Sequence, residues 1–141
     1  MEHIELANQV MEMMLSGEEE ILSVLREQYK NASVASEEHD DAGFFINYRV
    51  NKEITVMDKY RDTFQIGNVD GTVCGIHGAV GFILFIKNGY LTMLEGYTNG
   101  IDRWPEEDSI IKLEYDMEQR NVELQRFGKE LNREKEREAK Q

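Results

Sequence analysis

The chain holds one cysteine in 141 residues, only sixteen lysines and arginines against twenty-eight aspartates and glutamates, and no long hydrophobic run. The lone Cys74 excludes an internal disulfide framework and suits a reducing compartment, so a cytoplasmic location is expected. The longest apolar run, Ala79–Ile86, falls far short of the roughly 20 residues that span a bilayer, so no membrane segment is expected. The opening MEHIELANQV is acidic and has no basic stretch ahead of an apolar one, so no signal peptide is read there. There is no HExxH, GxSxG, phosphate loop or paired-cysteine motif. The three histidines, His3, His39 and His77, are scattered and give acid–base chemistry no centre, so an enzyme is not expected, nor a cofactor or a metal.

The shortage of basic residues is uneven. From 118 to 141 there are seven basic and six acidic residues, whereas residues 1–117 hold nine basic against twenty-two acidic, a charge of about −13 out of a total of −12. The acids cluster at Glu18–Glu20, at Glu37, Glu38, Asp40 and Asp41, and at Glu106, Glu107 and Asp108. Such a surface repels a phosphate backbone, so nucleic acid is not an expected partner. It attracts a basic protein, or it simply keeps the chain soluble. Hydrophobic and charged contents of 40% and 31% mark a globular chain, long enough for one core.

Ala79–Thr98 is the most informative stretch. Asn88-Gly89 stands between two apolar runs, and both central residues of a type I′ turn need positive φ, which Asn and Gly accept; a tight hairpin is predicted. An unbroken register pairs Lys87 with Tyr90, Leu84 with Met93, and Phe82 with Glu95. One face then carries Phe82, Leu84, Ile86, Leu91, Met93 and Tyr97, with Glu95 as its only charge. Helical spacing of Ile4, Leu6, Ala7, Val10, Met11, Met14 and Leu15 predicts a helix over about 2–15. A second helix, or the same helix after a kink, is expected to about Lys30, with a capping box of Ser16 and Glu19 at its start. Residues 31–41 read as a loop, 43–50 and 64–69 as strands, Ile54–Met57 as a further short strand, Asp70-Gly71 as a turn, and Ser109–Tyr115 as the last strand. These make an α+β domain over 1–115, with a mainly antiparallel sheet of about five strands behind N-terminal helices. Residues 116–141 form a charged C-terminal helix or tail. Its Met117, Leu124, Phe127 and Leu131 follow the steps of a narrow seam, which would support a homodimer or pack on the sheet.

Among candidate sites, Cys74 and His77 lie three residues apart, with Asp70 near enough in sequence to orient the imidazole. Nucleophilic chemistry needs that geometry, yet a glycine-rich entry to a strand explains the segment as well. Gly75, Gly78 and Gly81 are spaced GxxGxxG and precede a strand, which does not fit a dinucleotide loop. Glu95 on an apolar face requires a partner, supplied by Arg49, Arg103, a tyrosine hydroxyl or the backbone after Gly96; it is a buried anchor or part of a site. Trp104, before Pro105, is a packing residue or an interface anchor.

SGEEEILSVLREQY (16–29), GFF (43–45), VCGIHGAVGFILFIKNGYLTMLEGYT (73–98) and WP (104–105) resemble a group of small stand-alone bacterial proteins. That group has an SGE helix, a GFF strand and a GFxLFxxxGxLxxLEG[YF]T hairpin followed by tryptophan-proline. The likeness covers roughly residues 10–115, and this chain departs from it in the charged segment beyond Tyr115. It carries no functional residue across. It implies a toxin-immunity-like protein, because small acidic bacterial proteins of this kind often serve as immunity partners.

The expected function is therefore a non-catalytic cytoplasmic binding protein, an immunity protein that neutralises a basic toxin domain by acidic-surface occlusion. Glu37, Glu38, Asp40, Asp41, Glu95, Trp104, Glu106, Glu107 and Asp108 are the expected partner-binding residues. A small-molecule-binding or structural module is the alternative.

Overall fold

The structure, a computed structural model, describes residues 2–53, 61–73, 79–98, 102–105 and 111–123. Helices α1 (Glu2–Met14) and α2 (Glu20–Lys30) precede β1 (Ser33–Asp40), β2 (Gly43–Arg49), β3 (Phe64–Thr72), β4 (Ala79–Lys87), β5 (Tyr90–Tyr97) and β6 (Lys112–Tyr115). Another helix begins at 117 and is described to 123. The strands form one antiparallel sheet in the order β1-β2-β5-β4-β3-β6. The α+β class is as expected, with one more strand than the sequence suggested. Residues 31–41 are not a loop, since β1 runs through them. This edge strand is exposed along nearly its whole length, so it lacks the apolar alternation that marks a half-buried strand. Its charges discourage pairing with another chain.

Helix α1 turns Leu6, Ala7, Val10, Met11 and Met14 onto the sheet, and α2 adds Ile21, Leu22 and Leu25. Gly17, at φ +131°, breaks the chain between them. The expected capping box does not form. Helix α2 starts at Glu20, which places Glu19 at the N-cap position without a side-chain cap. Ser16 Oγ instead donates to Met13 O at 2.7 Å and closes α1. The Glu19 carboxylate pairs with Arg120 on the C-terminal helix.

The β4–β5 hairpin turns at Asn88 (φ 53°) and Gly89 (φ 82°), and Lys87 pairs with Tyr90 as predicted. Beyond Leu91 the expected register is wrong by one residue. Thr92 bulges out, so that Phe85 opposes Met93, Leu84 opposes Leu94, and Ile83 opposes Glu95. Thr92 Oγ1 donates to Phe85 O at 2.9 Å across the irregularity. The cause lies in packing, because Leu91 (1% exposed) and Leu94 (0%) sit three residues apart and both enter the core. A regular strand would put one of them on each face. Strand β3 repeats the device: Ile66 opposes Leu84 and Val69 opposes Phe82, with Gly67 and Asn68 between them against Ile83 alone. The predicted Asp70-Gly71 turn lies inside β3, where pairing to both β4 and β6 overrides the local preference.

Gln28 of α2 is fully buried (0% exposed), and its amide is matched on both sides. Nε2 donates to Gly89 O at 2.8 Å and Oε1 accepts from Leu91 N at 2.9 Å, which clamps the helix to the hairpin. At the other end, Asp116 N donates to Asn68 O (2.7 Å), and Asp116 Oδ1 accepts from Gln119 N (2.9 Å) at the start of the C-terminal helix. Glu123 Oε1 accepts from Gly67 N at 2.6 Å, so this helix satisfies a backbone donor in the β3 bulge. Both helices of the N-terminal pair lie on one face of the sheet, against Phe44, Ile46, Ile66, Val69, Phe82, Leu84 and Leu94.

Candidate functional site

The opposite face of the sheet has no helix against it among the described residues. Strand alternation and the Thr92 bulge bring Phe45 and Asn47 of β2, Met93, Glu95 and Tyr97 of β5, and Ile83 and Phe85 of β4 onto it. All except Tyr97, which is 39% exposed, are half-buried. Asp70 of β3 and Glu114 of β6 extend the same face on one side, and Glu38 and Asp40 of β1 on the other. An aromatic and aliphatic strip thus runs between carboxylates at one end of the face. Lys87 and Arg49 stand at the hairpin end, and Lys112 lies at the β6 edge.

Among the described residues no cation lowers the Glu95, Asp70 or Tyr97 groups at the acidic end. Burial raises the Glu95 carboxyl above its ordinary range, and Asp40 adds to the shift. Burial does the same to Asp70, with Asp116 and Glu114 contributing. The Tyr97 hydroxyl is also raised, by burial first and then by Asp70 and Glu95. Every one of these causes disfavours the negative form, so an arriving cation would relieve all three.

Glu95 lies on the open face, not the apolar covered one, because the Thr92 bulge inverts β5. Of its expected partners, neither Arg49 nor Arg103 pairs with it, and Asn99 lies outside the described residues. Of the acids expected to form the binding surface, Glu38 and Asp40 reach the open face. Asp40 Oδ1 also accepts from Ala42 N and Gly43 N, both at 2.9 Å, and so holds the β1–β2 turn. Glu37 faces the other way, at the register position of Ile46. Asp41 lies in the β1–β2 turn, and its carbonyl accepts from Trp104 N at 2.7 Å. Trp104 packs edge-on against Phe44 (5.1 Å between centroids), Phe82 (6.1 Å) and His3 (6.2 Å). It belongs to the covered side, away from Glu95. Glu106, Glu107 and Asp108 lie outside the described residues, as do Cys74, His77, Gly75, Gly78 and the 54–57 strand. Leu124, Phe127 and Leu131 do too, while Met117 is 55% exposed.

Sequence reasoning missed Phe45, Ile83, Phe85, Tyr97 and Asp70 as a group. The available signal was that β4 is apolar on both faces and that β2 carries Phe45 on the opposite face from Phe44 and Ile46, which one layer of helices cannot cover.

Between α2, β3 and the C-terminal helix lies a cavity with about 10 Å³ of free space, lined by Ile21, Leu22, Phe64, Ile66, Asn68, Arg120 and Glu123. That is room for one water and for nothing larger. Among the described residues there is no cluster of three or more histidine, cysteine, aspartate or glutamate side chains placed to hold a metal. No helix described is long and apolar enough to cross a membrane. Comparison with protein-family models, with curated proteins and with solved structures gave no match.

Proposed function

We propose that this chain is a non-catalytic binding protein that receives a basic protein on the open face of its sheet, acting in the cytoplasm as an immunity protein against a basic toxin domain. The observation that carries the reading is the open face itself, an aromatic and aliphatic strip ending in carboxylates that have no cationic partner among the described residues. An apolar strip supplies the area a stable complex needs, and the acids supply steering and sign. A second copy of the same chain is a poor occupant, since it would bring carboxylates to carboxylates. The mechanism is occlusion: the face covers a positively charged cleft and closes it to its substrate. The surface differs from the one expected from sequence, because Trp104 is engaged internally and Glu37 points away.

The test compares the native chain with a Phe45→Ser/Phe85→Ser variant as immobilised baits in extract of the source organism. A basic protein held by the native chain should be released at high salt and lost from the folded variant. Its gene, expressed alone, should halt growth, and co-expression of the native chain but not the variant should restore it. A captured partner that binds both baits equally, with no dependence on salt, would overturn the reading.

A further inference from the structure

One row of the sheet crosses all six strands in an unusual order. Asp40 opposes Gly43, Gly43 opposes Tyr97, Tyr97 opposes Gly81, Gly81 opposes Asp70, and Asp70 opposes Glu114. A single aromatic ring is flanked on each side by a residue without a side chain, and beyond each glycine stands a carboxylate. With strands about 4.8 Å apart, Asp40 and Asp70 are each about 10 Å from Tyr97 across the sheet, and Glu95 is about 7 Å away along its own strand. The ring leans over Gly81: a Cβ built there would lie 2.4 Å from both Cζ and Oη of Tyr97. One side of the ring therefore rests on backbone, and Tyr97 as a residue is 39% exposed.

We infer that Tyr97 is the seat for an arginine side chain of the partner polypeptide, its guanidinium stacked on the exposed ring and its N–H donors directed to Asp70 and Glu95. This rests on the proposed basic-partner reading and names the group that is recognised. Arginine fits better than lysine for geometric reasons. A planar guanidinium lies flat on an aromatic ring while its fork reaches carboxylates on two sides, whereas an ammonium is a compact, strongly hydrated point charge. Residues of the partner on the hairpin side of the arginine then fall on Phe45, Ile83 and Phe85. Polypeptide, as opposed to a small cation, is the occupant because this strip continues the seat for several residues along β2 and β4.

The probe is a synthetic peptide of alternating leucine and arginine, compared with its leucine–lysine counterpart, on the full-length isotopically labelled chain. Affinity is read by fluorescence anisotropy and location by amide shifts. The arginine peptide should bind about three- to five-fold tighter than the lysine peptide, with the largest shifts at Gly81, Glu95 and Tyr97. Tyr97→Leu should erase that preference and leave weaker charge-driven binding of both peptides, and Tyr97→Phe should restore it. Asp70→Asn with Glu95→Gln should weaken both peptides. Equal binding of the two peptides, an arginine preference that survives Tyr97→Leu, or shifts confined to another surface would overturn the arginine seat. None of these would touch the basic-partner reading, which falls only if the natural partner ignores the open face.

Discussion

The two faces of this sheet are built from the same strands and nearly the same kinds of residue, yet only one of them is explained by folding. On the covered face, Phe44, Phe82 and Leu94 are sealed by α1 and α2. On the open face, Phe45, Phe85 and Tyr97 alternate with them along the same strands, half-buried at most, beside Glu95 and Asp70. Core packing accounts for every apolar group of the first set and for none of the second. Aromatics on a face that no described element covers, next to carboxylates that pair with no cation among the described residues, are the part of the molecule that calls for a partner.

The sharpest way to break the comparison is to cut the same residue type from each face. Phe44→Ala removes a fully buried ring and should cost about 3–5 kcal/mol in urea unfolding, while Phe85→Ala should cost less than about 1 kcal/mol. Equal losses would mean that the open face is also core. Polar groups give a second contrast. Gln28→Ala strands Gly89 O and Leu91 N in the interior and should cost about 2–6 kcal/mol at 1–3 for each group. Asn47 donates to Ser36 Oγ at 2.9 Å on the exposed side, and Asn47→Ala should change stability by at most about 0.5 kcal/mol.

How far these faces could be read from sequence depended on where the periodicity was local. The Asn88-Gly89 turn, the helical stripe of α1 and the alternation of β2 follow from single-residue preferences and were legible. Face assignment past Thr92 was not, because it depends on a bulge that breaks the period of two. The trace of that bulge was present in Leu91 and Leu94, two leucines at odd spacing in one strand, and again in Ile66 and Val69. A regular β5 would turn Glu95 onto the covered face, where it would need a buried partner; the bulge removes that need. Strand β1 was illegible for a different reason: an edge strand exposed on both faces carries no hydrophobic pattern. The open-face site combines four strands, and no local motif records that.

Glycines sharpen the comparison at lower amplitude. A Cβ at Gly96 would stand 2.4 Å from the Phe44 ring, which is held in the core and has nowhere to move. Gly96→Ala should therefore cost about 1–3 kcal/mol as overpacking. A Cβ at Gly81 meets the far end of the Tyr97 ring, which can swing into solvent. Gly81→Ala should stay within about 0.5 kcal/mol of the native chain in stability yet move the tyrosine, seen as a change in near-ultraviolet circular dichroism. A variant that keeps its stability while losing its arginine preference would separate the seat from the fold more cleanly than removing the ring.

The smallest effect carries a sign. Burial and like-charged neighbours raise Glu95 and Asp70, so the native state holds their protons more tightly than the unfolded chain does. Their ionisation costs stability at neutral pH, and that cost is relieved as pH falls through the raised native values and is gone below the ordinary carboxylate range. Glu95→Gln should accordingly stabilise the chain at pH 7, by no more than about 0.5 kcal/mol at a partly exposed site, and the gain should vanish in acid. Glu19 supplies the opposite slope in the same molecule. Its own backbone N–H and then Arg120 lower its carboxyl, so its contribution is present at neutral pH and is lost as pH falls through that lowered value. Thermal melts of Glu95→Gln and Glu19→Gln between pH 3 and pH 7 should therefore move in opposite directions from the native curve at pH 7 and approach it in acid. A Glu95→Gln chain less stable than the native one at pH 7 would mean that Glu95 is satisfied within the fold, and the open face would lose its strongest claim to be waiting for a cation.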